Sequence, residues 1–472
     1  MNEDEDRIRE CKKCEDLKQA ETRSDGVPDL SSNFCSDEGT YYLTLPLLST
    51  NGTLPNRGSY EEPLLDKRIA SLDVFRGLTV VAMIVVDYFG GHWWGINHAP
   101  WNGVTFADFV LPAFLFIVGV ALSLTFKVTT NKLDVSCKLV LRVIKLFSLG
   151  LLLQGGYLHS VNDLSYGIDM QRIRIMGVLQ RIAIAYGTVA CFEIFSSRTT
   201  SEASGTFFGV IKVYCWQWIG GALLACLYAG LLYGVYVPNW QFEAPHESLY
   251  VDINAWRGNI SLLQVDCNVR GDVSPGCNAV SFIDRTIMGV SHLYTKPAYR
   301  RLEACSVDSP YTGPPPENAP SWCMAPFDPE GLLSSLPAVI TCFIGAHYGH
   351  TLLLVKDHYR RIQQWSILGA GLVIFGFVLE FAGVPFNKQL YSLSYTFLTG
   401  GVSGIMFIVI YMIVDVYKWR LSTIIFKWIG AHALMVYALI SCNVIVVVVQ
   451  GLYWNSPDNN MITMILEALG LS

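Results

Sequence analysis

An all-α, polytopic membrane protein is what this sequence predicts, and three observations predict it. Charged residues make up only 15% of the 472, against 52% hydrophobic, where a soluble globular protein carries about 25% charged. Nine stretches of roughly 20 mainly apolar residues follow one another from Ser71 onward, each long enough to cross the hydrocarbon core of a bilayer. They are long runs, without the weak alternation of a membrane β-barrel, and exposed strand edges find no partner in lipid. Helices are therefore expected at 72–90, 105–126, 139–157, 175–195, 214–237, 331–355, 365–383, 390–415 and 428–449.

What charge there is lies unevenly. Residues 1–66 hold 15 acids and 7 bases, and the remaining 406 hold 24 acids and 26 bases. The chain reads as a disordered acidic cytosolic tail (1–66), a transmembrane domain (67–450) and a short lumenal or interfacial tail (451–472). No segment is basic enough for nucleic acid, and no apolar stretch near Met1 suits a cleavable signal peptide. Cys11 and Cys14 form a lone CxxC, a weak metal or redox signal without a second pair. Leu47/Leu48 and Glu61-Glu62-Pro63-Leu64-Leu65 resemble dileucine sorting signals for a lysosomal or vacuolar membrane, and equally resemble linker.

Orientation rests on three signals. With the N-terminus in the cytosol, the cytosolic links carry 13 Lys plus Arg and the short opposite links only Arg172, Arg174 and Lys388, as the positive-inside rule requires. The one long loop, 238–330, then faces the lumen. It carries Cys267, Cys277, Cys305 and Cys323, an even set suited to two disulfides, and the glycosylation sequon Asn259-Ile-Ser261. Cys267 with Cys277 and Cys305 with Cys323 is the favoured pairing, because each closes a short loop.

Polar groups at membrane depth need a reason to be there, and the densest set surrounds the first helical hairpin. His98 is the candidate for proton chemistry, since imidazole alone titrates near neutrality when unperturbed. Asp87 and Asp108 are positioned to orient it or to hold a cationic substrate, or simply to cap helices. Trp93, Trp94 and Trp101 suit a sugar-stacking platform and equally an interfacial aromatic belt. Arg174 and Arg181, seven residues apart, share one helix face; anchoring an anionic ligand and pairing with an acid of another helix both account for them. Lys138, Arg142 and Lys145 share a face at a cytosolic helix start, where phosphates or positive-inside anchoring explain them. Arg76 joins this cofactor-binding set at the cytosolic end of the first helix. His347 and His350 have no companion motif that makes them metal ligands, and no metal is expected. Gly400 and Gly404 form a GxxxG suited to close helix packing.

Taken together, Ser71-Leu-Asp-Val-Phe-Arg-Gly77, Asn97-His-Ala-Pro-Trp-Asn-Gly103 with Asp108, Arg174-Ile-Met-Gly-Val-Leu-Gln-Arg181, Phe282-Ile-Asp-Arg285 with His292-Leu-Tyr294, Phe327-Asp-Pro-Glu-Gly331 and Asn387-Lys-Gln-Leu-Tyr-Ser-Leu-Ser-Tyr395 resemble the heparan-alpha-glucosaminide N-acetyltransferase family. The likeness spans about 68 to 445 and is greatest to the short members found in plants. It implies transfer of acetyl from cytosolic acetyl-coenzyme A to an amine, such as that of a terminal glucosamine, on the lumenal side of a lysosomal or vacuolar membrane, by a homodimer. It places the active histidine on His98. Two positions depart from the family pattern: Asp87 stands where an asparagine is usual, and Met176 where a proline follows Arg174. A transporter of a small polar solute and a catalytically retired family member fit the same helix count and buried charges.

Overall fold

The computed structural model describes residues 69–91, 93–125, 132–154, 173–196, 206–243, 262–419, 421–441 and 467. By contact the chain divides into Met1–Asp66, all outside the described residues, and Lys67–Ser472. The CxxC, both dileucine candidates, His92 and Asn259 also lie outside the described residues.

The apolar runs fold as helices, which satisfy their own backbone within the segment. In chain order they are α1 (Ala70–Phe89), α2 (Val110–Thr125, led in by a 3-10 turn at Phe106–Phe109), α3 (Lys132–Gln154), α4 (Val178–Ser196), the short α5 (Phe207–Val213) and α6 (Cys215–Gly234). After the long loop come α8 (Ser335–Leu354), α9 (His358–Phe381), α10 (Leu393–Tyr411), α11 (Ile424–Ala431) and α12 (Ala433–Ser441), with α7 (Ala279–Met288) inside the loop itself. Among the described residues, six helices are long and apolar enough to cross a membrane, seven if the bent pair α11–α12 is one span. The expected count of nine is not reached by that measure. α1 and α3 have the length but carry Asp73, Arg76 and Asp87, and Asp134, Lys138, Arg142 and Lys145 respectively.

The last expected span, 428–449, begins earlier and bends by 72° after Ala431. Just before the bend, α11 lies hard against α1: a Cβ at Gly430 would run into the Asp73 carbonyl, and one at Gly77 into that of Phe426. The Arg76 guanidinium reaches the Gly430 carbonyl at 3.4 Å, so the end of α11 is pinned to α1.

The centre of the bundle is α8. Most of its residues are buried, and small residues let the α2 backbone close on it. Gly119 of α2 abuts the Cys342 carbonyl, and Gly345 abuts that of Phe116. These contacts make α2–α8 the most extensive helix pair, followed by α9–α10. In the second pair the backbone approach falls on Gly369 and Gly401, whereas Gly400 and Gly404 receive the side chains of Ile344 and Tyr348. Outward faces are apolar, as at Leu223, Ile374 and Phe381, the pattern expected against lipid chains.

Helices alternate in direction, so the ends of α1, α3, α6 and α9 and the starts of α2, α4, α8 and α10 meet at one end of the bundle, here the loop end. The long loop packs there on its own core of Trp101, Tyr228, Tyr299, Phe327 and Leu390. Two small antiparallel ribbons, β1 (Tyr236–Val237) with β4 (Val269–Arg270) and β2 (Trp240–Glu243) with β3 (Leu262–Val265), lead into α7. The Asn278 side chain caps α7 by accepting from Ser281 N at 2.7 Å. Cys267 pairs with Cys277, and Cys305 with Cys323.

Candidate active site

The His98 loop is built by a carboxylate. Asp108 stands in the first turn of the 3-10 lead-in to α2, where unsatisfied backbone N–H groups and the helix dipole favour an anion. Its Oδ2 accepts from Ala99 N (3.1 Å) and Thr105 N (3.0 Å) and lies 2.9 Å from Thr105 Oγ1, whose single hydrogen it shares with the Asn97 carbonyl. The Thr105 hydroxyl turns back to the Asn97 carbonyl, and Asn97 Oδ1 accepts from His98 N at 2.8 Å. The loop therefore has little freedom, and it leaves Asp108 Oδ1 at 2.9 Å from His98 Nδ1. With an ionised Asp108 as its partner, Nδ1 is the nitrogen suited to carry the proton, which leaves the lone pair on Nε2.

A second loop, 384–392, closes over the first. Asn102 and Asn387 form a bridge, Gly103 N donates to the Phe386 carbonyl at 2.8 Å, and Asn387 Nδ2 donates to Asn102 Oδ1 at 3.2 Å. The left-handed backbone of Gly103 (φ 99°) makes this approach possible. The clasp delivers Lys388, whose Nζ lies 2.8 and 3.2 Å from the two His98 ring nitrogens and 3.6 Å from Asp108 Oδ1. Arg301, from the long loop, donates to the His98 carbonyl at 2.8 Å.

One face of the imidazole stays open, the side chain being 36% exposed. It borders a cavity of about 200 Å³ lined by residues that include Trp94, Asn102, Thr105, Arg301 and Pro310. All of the lining comes from the loop end, so this cavity does not continue through the bundle. Behind the ring the packing is polar and close: Tyr395 donates its hydroxyl to the Asp108 carbonyl, and the Tyr391 hydroxyl is 3.1 Å from that of Thr341.

A charge network extends sideways from the site. Arg174 grips Asp328 with two hydrogen bonds (2.9 and 2.6 Å), reaches Glu330 at 2.5 Å and lies over the Tyr294 ring. Arg181 donates to the Pro329 carbonyl at 2.7 Å and to Ser334, and stacks on Tyr391. Asp284 accepts from Leu332 N at 2.9 Å. Burial pushes its carboxyl up to about 7. Burial and then the Lys388 ammonium push the His98 imidazole below its ordinary range, against the pull of Asp108. Burial also lowers Lys388, while Asp108 and Glu330 favour its charge.

The candidates read from the sequence thus divide. His98 and Asp108 meet, and Asp87, exposed in the last turn of α1, lies within electrostatic range of Lys388. Of the two readings of Arg174, the geometry has the acid pair; Arg181 spends its contacts on the same segment. Arg76 pairs with Asp73 at 3.0 Å at the far end of α1, eleven residues from Asp87 and so about 16 Å away along the helix. Lys138 and Arg142 stand exposed on the outer face of α3, Arg142 touching the Tyr186 hydroxyl at 3.3 Å. Trp101 leaves the stacking platform: it is 5% exposed and donates its indole N–H to the Val273 carbonyl. Trp93 and Trp94 remain exposed.

Lys388, Glu330, Asp328 and Arg301 escaped sequence reasoning as site residues. The signal for Lys388 was present, because a base in a link otherwise nearly free of them, on the side the positive-inside rule leaves bare, calls for a specific partner.

The fold and site together define a multi-pass helical membrane protein with a histidine–carboxylate–lysine centre at one end of its bundle. A family model described as heparan-alpha-glucosaminide N-acetyltransferase, catalytic, matches residues 68–238. The chain is 29% identical over 393 residues to the human heparan-alpha-glucosaminide N-acetyltransferase, covering 79% of this chain and 52% of that protein. It is 28% identical over 387 residues to the mouse enzyme, covering 78% and 53%. By these matches the chain is similar to heparan-alpha-glucosaminide N-acetyltransferases. It spans about half the length of the curated relatives it matches.

Proposed function

We propose that this protein is a membrane acetyltransferase that moves acetyl from acetyl-coenzyme A to an amine at the loop end of the bundle, with an amino sugar such as terminal glucosamine as the acceptor class. The observation that carries the reading is His98, oriented by Asp108 and open to a cavity. With Nδ1–H donated to Asp108, Nε2 takes the proton of the acceptor amine as its nitrogen attacks the thioester carbonyl. The new C–N bond forms, the C–S bond breaks, and the proton passes from the imidazole to the departing thiolate to give free thiol. Asp108 holds the tautomer and stabilises the imidazolium that forms in passing.

The loop end is the lumenal side in this reading, and the N-terminus is cytosolic. A lysosomal or vacuolar membrane, glycosylation at Asn259 and a homodimer belong to the same proposal. Donor phosphates fall to Lys138 and Arg142 on α3, since Arg174 and Arg181 are held by the 328–334 segment and Arg76 by Asp73 and the Gly430 carbonyl. The cavity at His98 stops short of those bases, so the donor arm reaches the imidazole only after the closely packed residues behind it part.

The test is release of free thiol from acetyl-coenzyme A by the purified protein, dependent on glucosamine and matched by N-acetylglucosamine formed. His98→Ala is expected to abolish both. Solute uptake by proteoliposomes with no thiol released is the outcome that overturns the transferase reading in favour of a transporter.

A further inference from the structure

A histidine that must accept a proton in an acidic compartment faces a difficulty, because the free imidazole is largely protonated there. The surroundings of His98 answer it. The groups facing the ring are Asp108 from the turn before α2, Lys388 from the α9–α10 connection and, at longer range, Glu330 from the segment before α8. Lys388 in turn faces Asp108, Glu330 and Arg181, and Glu330 is already held by Arg174.

Counting hydrogens decides which charge state fits. Asp108 Oδ2 is filled by Ala99 and Thr105, which leaves Oδ1 to serve both His98 and Lys388. A neutral imidazole gives its Nδ1–H to that oxygen and keeps the lone pair of Nε2, while Lys388 Nζ stands against the ring as a whole, 2.8 Å from Nδ1 and 3.2 Å from Nε2. A protonated ring places a second cation at those same distances from the ammonium, which disfavours it. We propose that Lys388 is a positioning residue that holds His98 in its neutral, proton-accepting form by pressing an ammonium against the ring. The clasp between Asn102 and Asn387 is what keeps it there.

The inference rests on the acetyl-transfer reading for its kinetic consequence but not for its electrostatic one, and the experiment separates the two. The pH profile of kcat/KM is measured for wild type, Lys388→Arg and Lys388→Gln, each checked for wild-type thermal melting. Lys388→Arg keeps the charge and is expected to keep the acid limb of the profile. Lys388→Gln is expected to move that limb to higher pH, so that its turnover falls several-fold more in acid than at neutral pH. Equal loss at every pH, or an unmoved limb, overturns the proposal.

In parallel, the rate of diethylpyrocarbonate modification at His98, read by mass spectrometry of its peptide, is followed against pH. Wild type is expected to stay reactive to lower pH than Lys388→Gln, whether or not either turns over glucosamine. Coincident curves overturn the role of Lys388. Absent turnover with separated curves sinks only the acetyl-transfer reading.

Discussion

Two histidine–carboxylate pairs lie toward opposite ends of the bundle, and the contrast between them shows why the proposed chemistry is assigned to one of them. At the loop end, His98 and Asp108 meet at 2.9 Å beside a lysine and an open cavity. Toward the other end, His350 of α8 and Glu193 of α4 meet at 2.6 Å, both buried. There the Tyr214 ring lies flat on the imidazole at 3.4 Å, and Gln217 donates to Glu193 at 2.9 Å. Both are close, but only the first is a formed hydrogen bond beside an open cavity. The second ties α4, α6 and α8 together across the bilayer interior, where a polar group without a partner is costly. A pair becomes a proton-transfer device when one ring nitrogen faces a space that a substrate can enter.

The comparison breaks most visibly in turnover. His98→Ala is expected to lower kcat by about 10²–10⁴-fold, whereas His350→Leu should leave turnover per folded molecule at the wild-type value; equal losses in the thiol-release assay would falsify the division of roles. The order reverses for stability. His350→Leu leaves Glu193 with Gln217 and is expected to lower the melting temperature in detergent, while His98→Ala melts close to wild type. Should the two variants melt alike, Glu193 has another partner for its charge.

Asp284 sharpens the view of the loop end as a region suited to acid. Its carboxyl is raised by burial to about 7 in the folded protein against 3.8 in an open chain, so the folded state binds the proton more tightly. The resulting stability is full below about 3.8 and is lost as pH rises through about 7. Wild type is therefore expected to melt progressively lower across that window and Asp284→Asn to melt with a flatter dependence; parallel curves would place the titration elsewhere. Smallest is the effect at the cavity wall. Trp94→Ala removes an exposed ring beside His98 and is expected to raise the acceptor KM several-fold with kcat little changed, which initial rates over a range of glucosamine concentrations decide.

How much of this could be read in advance follows from how local each feature is. Helix positions were legible because lipid demands long apolar runs, and they survive even in α1 and α3, where charges interrupt them. The break after Ala431 was not, and it lies beside a contact between Gly430 and the α1 backbone, residues more than 350 apart in sequence. The pairing of the four cysteines was legible from loop length. His98 and Asp108 stood out because ten residues and one helix start relate them. Lys388 lies 290 residues from His98, and only the folded clasp brings it there. The tryptophans show the opposite limit: Trp94 and Trp101 look alike in sequence, and burial in the core of the long loop distinguishes them.

The clasp between Asn102 and Asn387 also sets a timetable. The His98 ring is synthesised early, while the loop that completes its surroundings emerges some 285 residues later, after the disulfide-bonded region has had its chance to form. A nascent protein thus carries its imidazole through most of membrane insertion without the ammonium beside it, and competence arrives only when a late hairpin docks onto an early one.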